Sequence, residues 1–515
     1  MVLRSPISLL ALSAALCATL LPTSDAWIPH VITKGNKFFN SATEQEFRLK
    51  GMAYYPRPND GELYEVDNYD WSADEHENVW GPHLKLMKEL GVNTVRLYSV
   101  DPSKSHDKFM CACSEAGIYV LVGIAAPCEN CAIIDEEPPA CYPSELFTRA
   151  QMVYNAFAVY DNVLGFSVGN ENNLQMKHGS GGTVTAPCVK AFLRDVRRYA
   201  MNCLGSMRAV PIGLDIADIP PREQWLQYYD CAPDGEEFSR AEWIGFNPYV
   251  ECDPIAHDTY SKSAGLRNLM QEYAATGYSR PIMFGEYGCN LGKNTVDGFE
   301  NQRTFHDAKW MNEEKEMADE IVGGNVFEFS TERNHVAGEV LTTKADPGKY
   351  GVGYFTPNNC DHDKVPCEFV PYPEFENLKQ AYKSTKPSSV TLNSFKLKRN
   401  NILKCPSSIK TDLPKTPDVK TLACSVRQPV CNGKKANSFE KDGKKAIQLG
   451  DKLAPTNDTP EGDSPLKGGD GHSDQTTDDT TDKSGSKYSS ASRAQPVSSV
   501  AMLVLVVALV ALVNL

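Results

Sequence analysis

The sequence has little basic charge for its size. Its 515 residues include 52 Lys and Arg against 66 Asp and Glu, which gives a net charge of −14 at pH 7. Because a phosphate backbone attracts a basic surface, this balance argues against a nucleic-acid partner. The length is sufficient to bury a large core, and one barrel-type domain could take most of it.

The sequence also lacks an apolar run of the roughly 20 residues that a membrane-spanning helix needs. Arg4, the apolar stretch 7–21 and the small and polar residues up to Ala26 have the order of a secretory signal, which predicts cleavage near Ala26. The apolar tail 500–515 follows a polar spacer and the small residues Ser489 and Ser490, as in a removed lipid-anchor (GPI) signal. A single-pass C-terminal anchor is the second choice, because the tail is short.

Large apolar residues are almost missing from 451–499, which is rich in Asp, Thr, Ser, Gly and Lys. Such a stretch cannot bury enough surface to fold, so we expect a hydrophilic stalk. Asn457 begins an N-glycosylation sequon within it. The Lys-rich stretch 388–450 is predicted to be either a small appended unit or a poorly ordered linker, and it contains Cys405, Cys424 and Cys431.

Histidine is missing near the CxxC pair of Cys128 and Cys131. Cys128 and Cys131 form a CxxC pair, and Cys111 and Cys113 form a CxC pair, without the further ligands that a zinc site requires. Of 16 cysteines, Cys17 lies in the signal, so an odd number remains. We therefore predict disulfides, with at least one thiol free or buried.

From Trp27 onward, strand-like and helix-like stretches alternate. The predicted strands are 47–55, 92–100, 117–125, 163–171, 210–217, 242–249, 281–288 and 325–330. The predicted helices include 83–90, 145–160, 186–203, 263–275 and 303–322. This alternation predicts an α/β fold, a (β/α)8 TIM barrel over 27–387 with a C-terminal extension and stalk.

Two of the predicted strands end in a glutamate. Glu171 ends the fourth strand and Glu286 ends the seventh. Parallel α/β folds place their chemistry at these strand ends, and two carboxyl groups about 5–5.5 Å apart are what retaining cleavage of a glycosidic bond requires. One such glutamate would be read as an ordinary surface carboxylate, whereas two at matching positions favour function.

Three motifs resemble those of the GPI-anchored β-1,3-glucanosyltransferases, family 72 of the glycoside hydrolases. They are RLYSVDPSKSHDKFM (96–110), DNVLGFSVGNE (161–171) and PIMFGEYGCN (281–290). The resemblance covers roughly 27–385 and implies catalytic carboxylates on barrel strands four and seven, with Glu171 as acid/base and Glu286 as nucleophile.

Further positions follow from the resemblance. Asn170 would contact the sugar 2-hydroxyl, and Tyr98 and Tyr249 would line the cleft, although aromatic packing is an alternative for Tyr98. Arg96 and Tyr287 lie inside matched motifs, but each could simply brace the barrel, so neither is predicted to be catalytic.

The resemblance also bears on the cysteines. Cys252 and Cys289 match a family disulfide beside the nucleophile, and we expect Cys231 to pair with Cys360 or Cys367. The stretch 388–450 has too few cysteines for the glucan-binding module that some members append.

The chain departs from the family pattern at three places. Asn172 and Asn173 stand where Val usually follows GNE, Tyr55 replaces a Gln, and Phe329 replaces a Tyr. These changes affect the detailed sugar contacts that the resemblance implies.

These observations together predict a cell-surface, retaining β-1,3-glucanosyltransferase of the cell wall. Its partners would be a β-1,3-glucan donor and acceptor and, through the lipid anchor, the outer leaflet of the plasma membrane. No metal or organic cofactor is expected, because both half-reactions use carboxyl groups. Two alternatives stay open: a β-1,3-glucan hydrolase with the same residues, and an anchored wall-binding protein without turnover.

Overall fold

The computed structural model describes residues 27–177, 181–250, 258–289, 303–335 and 349–436. These belong to one compact unit, Met1–Asp451. The predicted signal, the stalk with Asn457 and the anchor residues Ser489 and Ser490 lie outside the described residues. Within the described ranges, no helix has the length and apolar character needed to cross a bilayer.

Three short antiparallel strands precede the barrel. They are β1 (Val31–Lys34), β2 (Lys37–Asn40) and β3 (Glu46–Phe47). Phe38 packs in the same apolar cluster as Leu49 and Trp243 from the barrel lumen. This small sheet therefore closes the amino-terminal end of the barrel and leaves the opposite end open for a site.

Eight parallel strands form the predicted closed barrel in chain order. They are β4 (Leu49–Tyr54), β5 (Thr94–Leu97), β6 (Tyr119–Gly123), β7 (Val163–Asn170), β8 (Ile212–Ala217), β9 (Ile244–Asn247), β10 (Ile282–Tyr287) and β11 (Ile321–Val326). At the floor of the lumen, a Cβ at Gly213 would lie 2.4 Å from the Trp243 ring, so this position requires glycine.

Seven predicted strands contain the observed ones, and the eighth was misplaced. The prediction placed this strand at 325–330, but β11 begins at Ile321 and contains Gly323 and Gly324. Its pairing with β4 ends at Val326, so 327–330 form a loop at the mouth of the barrel. The sequence pattern did not reveal β11 because its glycines, which allow close approach of a neighbouring strand, ordinarily lower strand propensity.

Nine α-helices lie within the described residues. They are α1 (Glu77–Leu90), α2 (Asp107–Glu115), α3 (Ser144–Phe157), α4 (Ala186–Asn202), α5 (Arg222–Asp230), α6 (Ala264–Thr276), α7 (His306–Glu313), α8 (Lys315–Glu320) and α9 (Glu374–Ser384). The predicted helix 303–322 is two helices, α7 and α8, and the predictions omitted α2, α5 and α9. The main core lies between these helices and the outer faces of the strands.

After the barrel, a hairpin of β12 (Gly353–Thr356) and β13 (Glu368–Pro371) packs against the loop that follows the last barrel strand. The Phe369 ring stacks on Phe329 with a centroid distance of 4.6 Å, and Phe329 is fully buried. The Phe329 side chain is therefore a core residue, so the departure noted at this position does not change a cleft contact.

The segment 388–436 runs along the outside of the barrel and ends in the short hairpin of β14 (Val430–Cys431) and β15 (Lys434–Lys435). It has no α-helix within these described residues. Three disulfides attach it to the barrel helices and their ends: Cys231–Cys405, Cys203–Cys424 and Cys111–Cys431. The segment therefore packs against the barrel surface rather than forming a loose linker.

The expected partner of Cys231 was wrong, because Cys360 and Cys367 pair with each other. Cys231 instead pairs with Cys405, which lies 174 residues later in the chain. Nothing in the sequence indicates that the extension returns to the barrel at this point. Cys128 and Cys131 form a disulfide, while Cys111 of the CxC pair bonds to Cys431. Cys113 is a buried free thiol, which agrees with the prediction that at least one thiol is free or buried. Cys289 is disulfide-bonded, while Cys252 lies outside the described residues.

Candidate active site

The carboxyl group of Glu171 lies at the open end of the barrel, directly after β7. Its backbone adopts the left-handed conformation, with φ of 53°, and its N–H donates to the Asp215 carbonyl oxygen at 3.0 Å. Asn247 Nδ2 donates to Glu171 Oε1 at 2.8 Å. A non-glycine residue in this backbone region is strained, and the hydrogen bonds to β8 and β9 hold it there.

The surroundings of Glu171 favour its protonated form. Burial, and secondly the charge of Glu286, raise the Glu171 pKa to about 7, against the opposing hydrogen bond from Asn247. A carboxyl group with this pKa is half protonated near neutral pH and can both give and take a proton.

Glu286 has the opposite surroundings. It lies in β10 with 6% of its surface exposed. Its Oε1 accepts hydrogen bonds from Arg96 Nη1 at 2.9 Å and Tyr98 Oη at 2.8 Å, and its Oε2 accepts one from Tyr249 Oη at 2.8 Å. Three donors, one of them charged, stabilise the ionised carboxylate that a nucleophile must supply.

Arg96 connects the parts of the site. Its guanidinium, 3% exposed, contacts Glu286, donates to Asn170 Oδ1 at 2.8 Å and lies 3.1 Å from Asp215 Oδ2. Sequence analysis treated it as a residue that could simply brace the barrel, and the structure places it against the nucleophile candidate. Tyr287 does have the bracing position, because its hydroxyl pairs with that of Tyr382 in α9 at 3.0 Å.

Sequence reasoning missed Asp215 and Asn247. Asp215 is fully buried in β8, where its Oδ2 accepts hydrogen bonds from Ser167 and Arg96. Asn247 is the last residue of β9. The available signal was a polar residue inside or closing an otherwise apolar barrel strand, as in IGLDIA and IGFN.

Aromatic side chains surround Glu286 on the cleft side. Tyr98 and Tyr249, both predicted to line the cleft, are half-buried and contact this carboxylate. Phe327 lies with its ring centroid 6.4 Å from that of Tyr98, and Tyr350 lies 5.8 Å from Tyr249. The four rings form an apolar wall of the kind that packs against the faces of sugar rings.

The departures next to the site stabilise its loops. Asn173 is 1% exposed; its Nδ2 donates to the Ala217 carbonyl at 2.8 Å, and its Oδ1 accepts from the Ala217 N–H at 2.9 Å. The Tyr55 hydroxyl donates to the Val66 carbonyl at 2.6 Å. Asn173 thus ties the loop after Glu171 to the end of β8, and Tyr55 ties down the loop that follows β4.

One group of metal-ligating side chains was found among the described residues, and it lies away from this site. Cys111, Glu115 and Cys431 have ligand atoms within 4.8 Å of one another, but the two cysteines form a disulfide. A disulfide sulfur lacks the thiolate that binds zinc, so this group is a poor metal site.

Comparisons with known proteins agree with this geometry. The family model described as glucanosyltransferase, glycoside hydrolase family 72, matches residues 21–347. The chain is 30% identical to the 1,3-beta-glucanosyltransferase GAS5 of Saccharomyces cerevisiae over 407 residues, which is 79% of this chain and 72% of that protein. It is 30% identical to gel1, a 1,3-beta-glucanosyltransferase of Aspergillus fumigatus, over 72% of this chain and 69% of that protein.

Solved structures give the same result. Saccharomyces cerevisiae Gas2p in complex with laminaritriose and laminaritetraose aligns with a TM-score of 0.59 and 28% identity, over 76% of this chain and 78% of that chain. The match of the family model over more than half of the chain, the relatives at 30% identity and the shared barrel point the same way. The chain belongs to glycoside hydrolase family 72, the glucanosyltransferases.

Proposed function

We propose that this protein is a retaining β-1,3-glucanosyltransferase that uses Glu171 as acid/base and Glu286 as nucleophile. The observation that carries the proposal is the contrast between the two carboxyl groups. Glu171 is buried against a second negative charge with a pKa raised to about 7, whereas Glu286 accepts hydrogen bonds from three donors. Retaining glycosidases need this division between a protonated acid and an ionised nucleophile.

In the first half-reaction, Glu286 attacks the anomeric carbon and forms an ester bond to the sugar. The glycosidic C–O bond breaks, and the leaving oxygen takes the proton of Glu171. Burial disfavours the charge that Glu171 would otherwise carry, so its proton is available near neutral pH. We infer that Asn170, whose Oδ1 accepts a hydrogen bond from Arg96 at 2.8 Å, contacts the sugar 2-hydroxyl.

In the second half-reaction, the hydroxyl of an acceptor glucan attacks the same carbon. Its proton goes to Glu171, the ester bond breaks, and Glu286 returns to a carboxylate. Arg96, Tyr98 and Tyr249 stabilise the charge that reappears on Glu286 as it leaves. The donor fragment is thereby transferred to the acceptor chain, which is lengthened, and both steps balance without a further reactant.

The substrate class rests on the relatives and on the aromatic wall. The curated relatives are named 1,3-beta-glucanosyltransferases, and Gas2p was solved with laminari-oligosaccharides. In this chain, the rings of Tyr98, Tyr249, Phe327 and Tyr350 border the candidate nucleophile. These features support β-1,3-glucan as both donor and acceptor.

The proposed setting is the cell surface, facing the wall. Six disulfides among the described residues fit an oxidising, extracellular compartment. We propose a signal over 1–26, the catalytic barrel over 27–387, the extension over 388–450, and a stalk over 451–499 with a removed tail over 500–515. Lipid attachment at Ser489 or Ser490 and a glycan on Asn457 complete this proposal.

The test is product analysis with a reduced β-1,3-gluco-oligosaccharide. The secreted form, residues 27–450, is compared with Glu171→Gln and Glu286→Gln. Glu272→Gln is the matched control, because this carboxylate is exposed on α6, away from the site. Products longer than the starting sugar from the parent and the Glu272 variant, and none from the other two, would support transfer and both assigned roles.

Other outcomes contradict the proposal in separable ways. Products that are only shorter than the substrate would make the protein a hydrolase, with water as the acceptor. Turnover retained in Glu171→Gln or Glu286→Gln would remove that residue from its assigned role. Binding of glucan without turnover in any form, unchanged by Glu286→Gln, would indicate a wall-binding protein.

A further inference from the structure

A third carboxyl group, that of Asp215, lies between the two proposed catalytic glutamates. It is fully buried in β8. Its Oδ2 accepts a hydrogen bond from Ser167 Oγ at 2.7 Å and lies 3.1 Å from Arg96 Nη2. Through Arg96 it is connected to Glu286, whose Oε1 lies 2.9 Å from Nη1. Neither the sequence motifs nor the proposed reaction assigns a role to this group.

The other oxygen of Asp215 and the side-chain oxygen of Asn247 lie beside the same glycine. Neither Asp215 Oδ1 nor Asn247 Oδ1 accepts a hydrogen bond from any residue that the structure describes. Both oxygens face Gly285, since a Cβ at that glycine would lie 2.3 Å from the first and 2.5 Å from the second. Burying two hydrogen-bond acceptors without a donor costs free energy, unless one of the two oxygens carries a hydrogen that it can donate to the other.

The orientation of the Asn247 amide follows from its neighbours. Arg96 has only donors, so the Asn170 atom 2.8 Å from its Nη2 is the amide oxygen. The Asn247 atom that lies 3.3 Å from this oxygen and 2.8 Å from Glu171 Oε1 is then the amide nitrogen, because two carbonyl oxygens would repel each other. Asn247 therefore presents its oxygen to Asp215, which leaves Asp215 as the group that can donate.

The charges around Asp215 favour the same assignment. The charged and titratable groups that face it are Arg96 from β5, Glu171 from the end of β7 and Glu286 from β10. One guanidinium thus faces three carboxyl groups. Burial raises the pKa of Asp215, against the opposing charge of Arg96. When Asp215 and Glu171 are both protonated, the charge of Arg96 is matched by Glu286 alone, and the buried cluster carries less uncompensated charge.

We propose that Asp215 is protonated on Oδ1, that this O–H donates a hydrogen bond to Asn247 Oδ1, and that this bond fixes the Asn247 amide with its nitrogen toward Glu171. Asp215 is then a positioning residue that acts through Asn247. The donor that it holds in place stabilises the Glu171 carboxylate left after proton transfer to the leaving group. This last consequence rests on the proposed function, whereas the proton and the amide orientation do not.

The proton itself is tested by infrared difference spectroscopy on the folded protein at pH 7. Glu171→Gln is the background, because it removes the other carboxyl of the site that is partly protonated there. It is compared with Glu171→Gln/Asp215→Asn. The expected result is a C=O stretch of a protonated carboxyl in the first protein and its loss in the second. Glu328, a buried carboxyl with a strongly raised pKa, is present in both and cancels. Spectra without this difference would overturn the proposal and indicate an ionised Asp215.

The positioning role is tested by the titration of Glu171, followed by NMR of 13C-labelled glutamate in Asp215→Asn and Asp215→Ala. Asn can donate to Asn247 and accept from Arg96 and Ser167, as the protonated acid does, so the Glu171 pKa should stay within about 0.3 units of the parent. Ala frees the Asn247 amide, and loss of its hydrogen bond should raise the Glu171 pKa by about one unit, a tenfold change in acidity.

The Asn variant also decides the matter when the Ala variant does not fold. An ionised Asp215 would raise the Glu171 pKa by repulsion. Its replacement by Asn would then lower that pKa clearly, and such a fall would overturn the proposal. Since neither readout uses a sugar substrate, this failure is distinct from a failure of the proposed transferase activity, which only the product analysis reports.

Discussion

Removing the charge of Glu286 should lower the pKa of Glu171. Burial is the largest cause of the raised Glu171 pKa, and the Glu286 charge is the second. The variant Glu286→Gln keeps the shape of the side chain and its acceptor oxygen, so burial at Glu171 stays nearly the same while the repulsion disappears. The direction of the change therefore isolates the electrostatic part of the shift.

The magnitude follows from Coulomb's law. For two carboxyl groups at the retaining separation of about 5.5 Å and an effective dielectric constant of about 20, the repulsion is about 3 kcal/mol, or about 2 pKa units. Arg96 also contacts Glu286 and compensates part of its charge. We therefore expect the pKa of Glu171 to fall by about 1–2 units in Glu286→Gln.

The assay is a pH titration of 13C-labelled glutamate side chains by NMR. Glu171→Gln identifies the resonance, and Glu272→Gln serves as a control that removes a distant, exposed carboxylate. In the parent protein the Glu171 resonance should titrate near pH 7. A Glu171 titration that is the same in the parent and in Glu286→Gln would refute the reasoning, because it would mean that no charge on Glu286 acts at Glu171.

Three further predictions concern stability and the charged site. The folded-state pKa of Glu171 lies above its ordinary value of 4.5, so stability is lost as pH rises from about 4.5 to 7. Glu171→Gln should therefore raise the free energy of unfolding by about 3 kcal/mol at pH 8 and leave it unchanged at pH 4 in urea titrations; an equal effect at both pH values would contradict this. Tyr249→Phe removes an O–H donated to Glu286 and should reduce kcat/KM about 10- to 100-fold with little change in Tm, and parent-like kinetics would exclude a role for that hydroxyl. Arg303→Met leaves Glu374 buried without its cation and should cost about 3–5 kcal/mol in urea unfolding, partly recovered in Arg303→Met/Glu374→Leu; a single variant as stable as the parent would disprove the importance of this pair.

Elements with continuous apolar runs were the most predictable part of the fold. The strands that begin at Val163 and Ile282 are recognisable in the sequence as continuous apolar runs, because both faces of a parallel barrel strand are buried. Each apolar run ends in polar residues at the mouth of the barrel. Glu171 and Glu286 could be singled out for this reason. The strand β11 was misplaced because it contains Gly323 and Gly324, whose place in a strand depends on the close approach of neighbours.

The partners of the two glutamates were less accessible to sequence reasoning. Arg96 lay inside a recognised motif, but whether a buried arginine braces a strand or contacts a carboxylate depends on what faces it across the lumen. Asp215 and Asn247 come from two further strands, and their hydrogen bonds to the site exist only after the barrel closes. The position of the extension 388–436 was equally hard to predict, because its cysteines form disulfides with barrel residues that are distant in the chain.

By itself, the sequence determined the barrel class, the family resemblance and the two strand-end carboxylates, because periodicity and short motifs are local properties of the chain. Only the tertiary structure decided which groups surround each carboxylate, that Cys231 pairs with Cys405, and that Phe329 is a core residue. The physical reason is that pKa values, hydrogen bonds and disulfides depend on distances of a few ångströms between residues far apart in sequence. Those distances are set by closure of the eight strands and by the path of the extension around them.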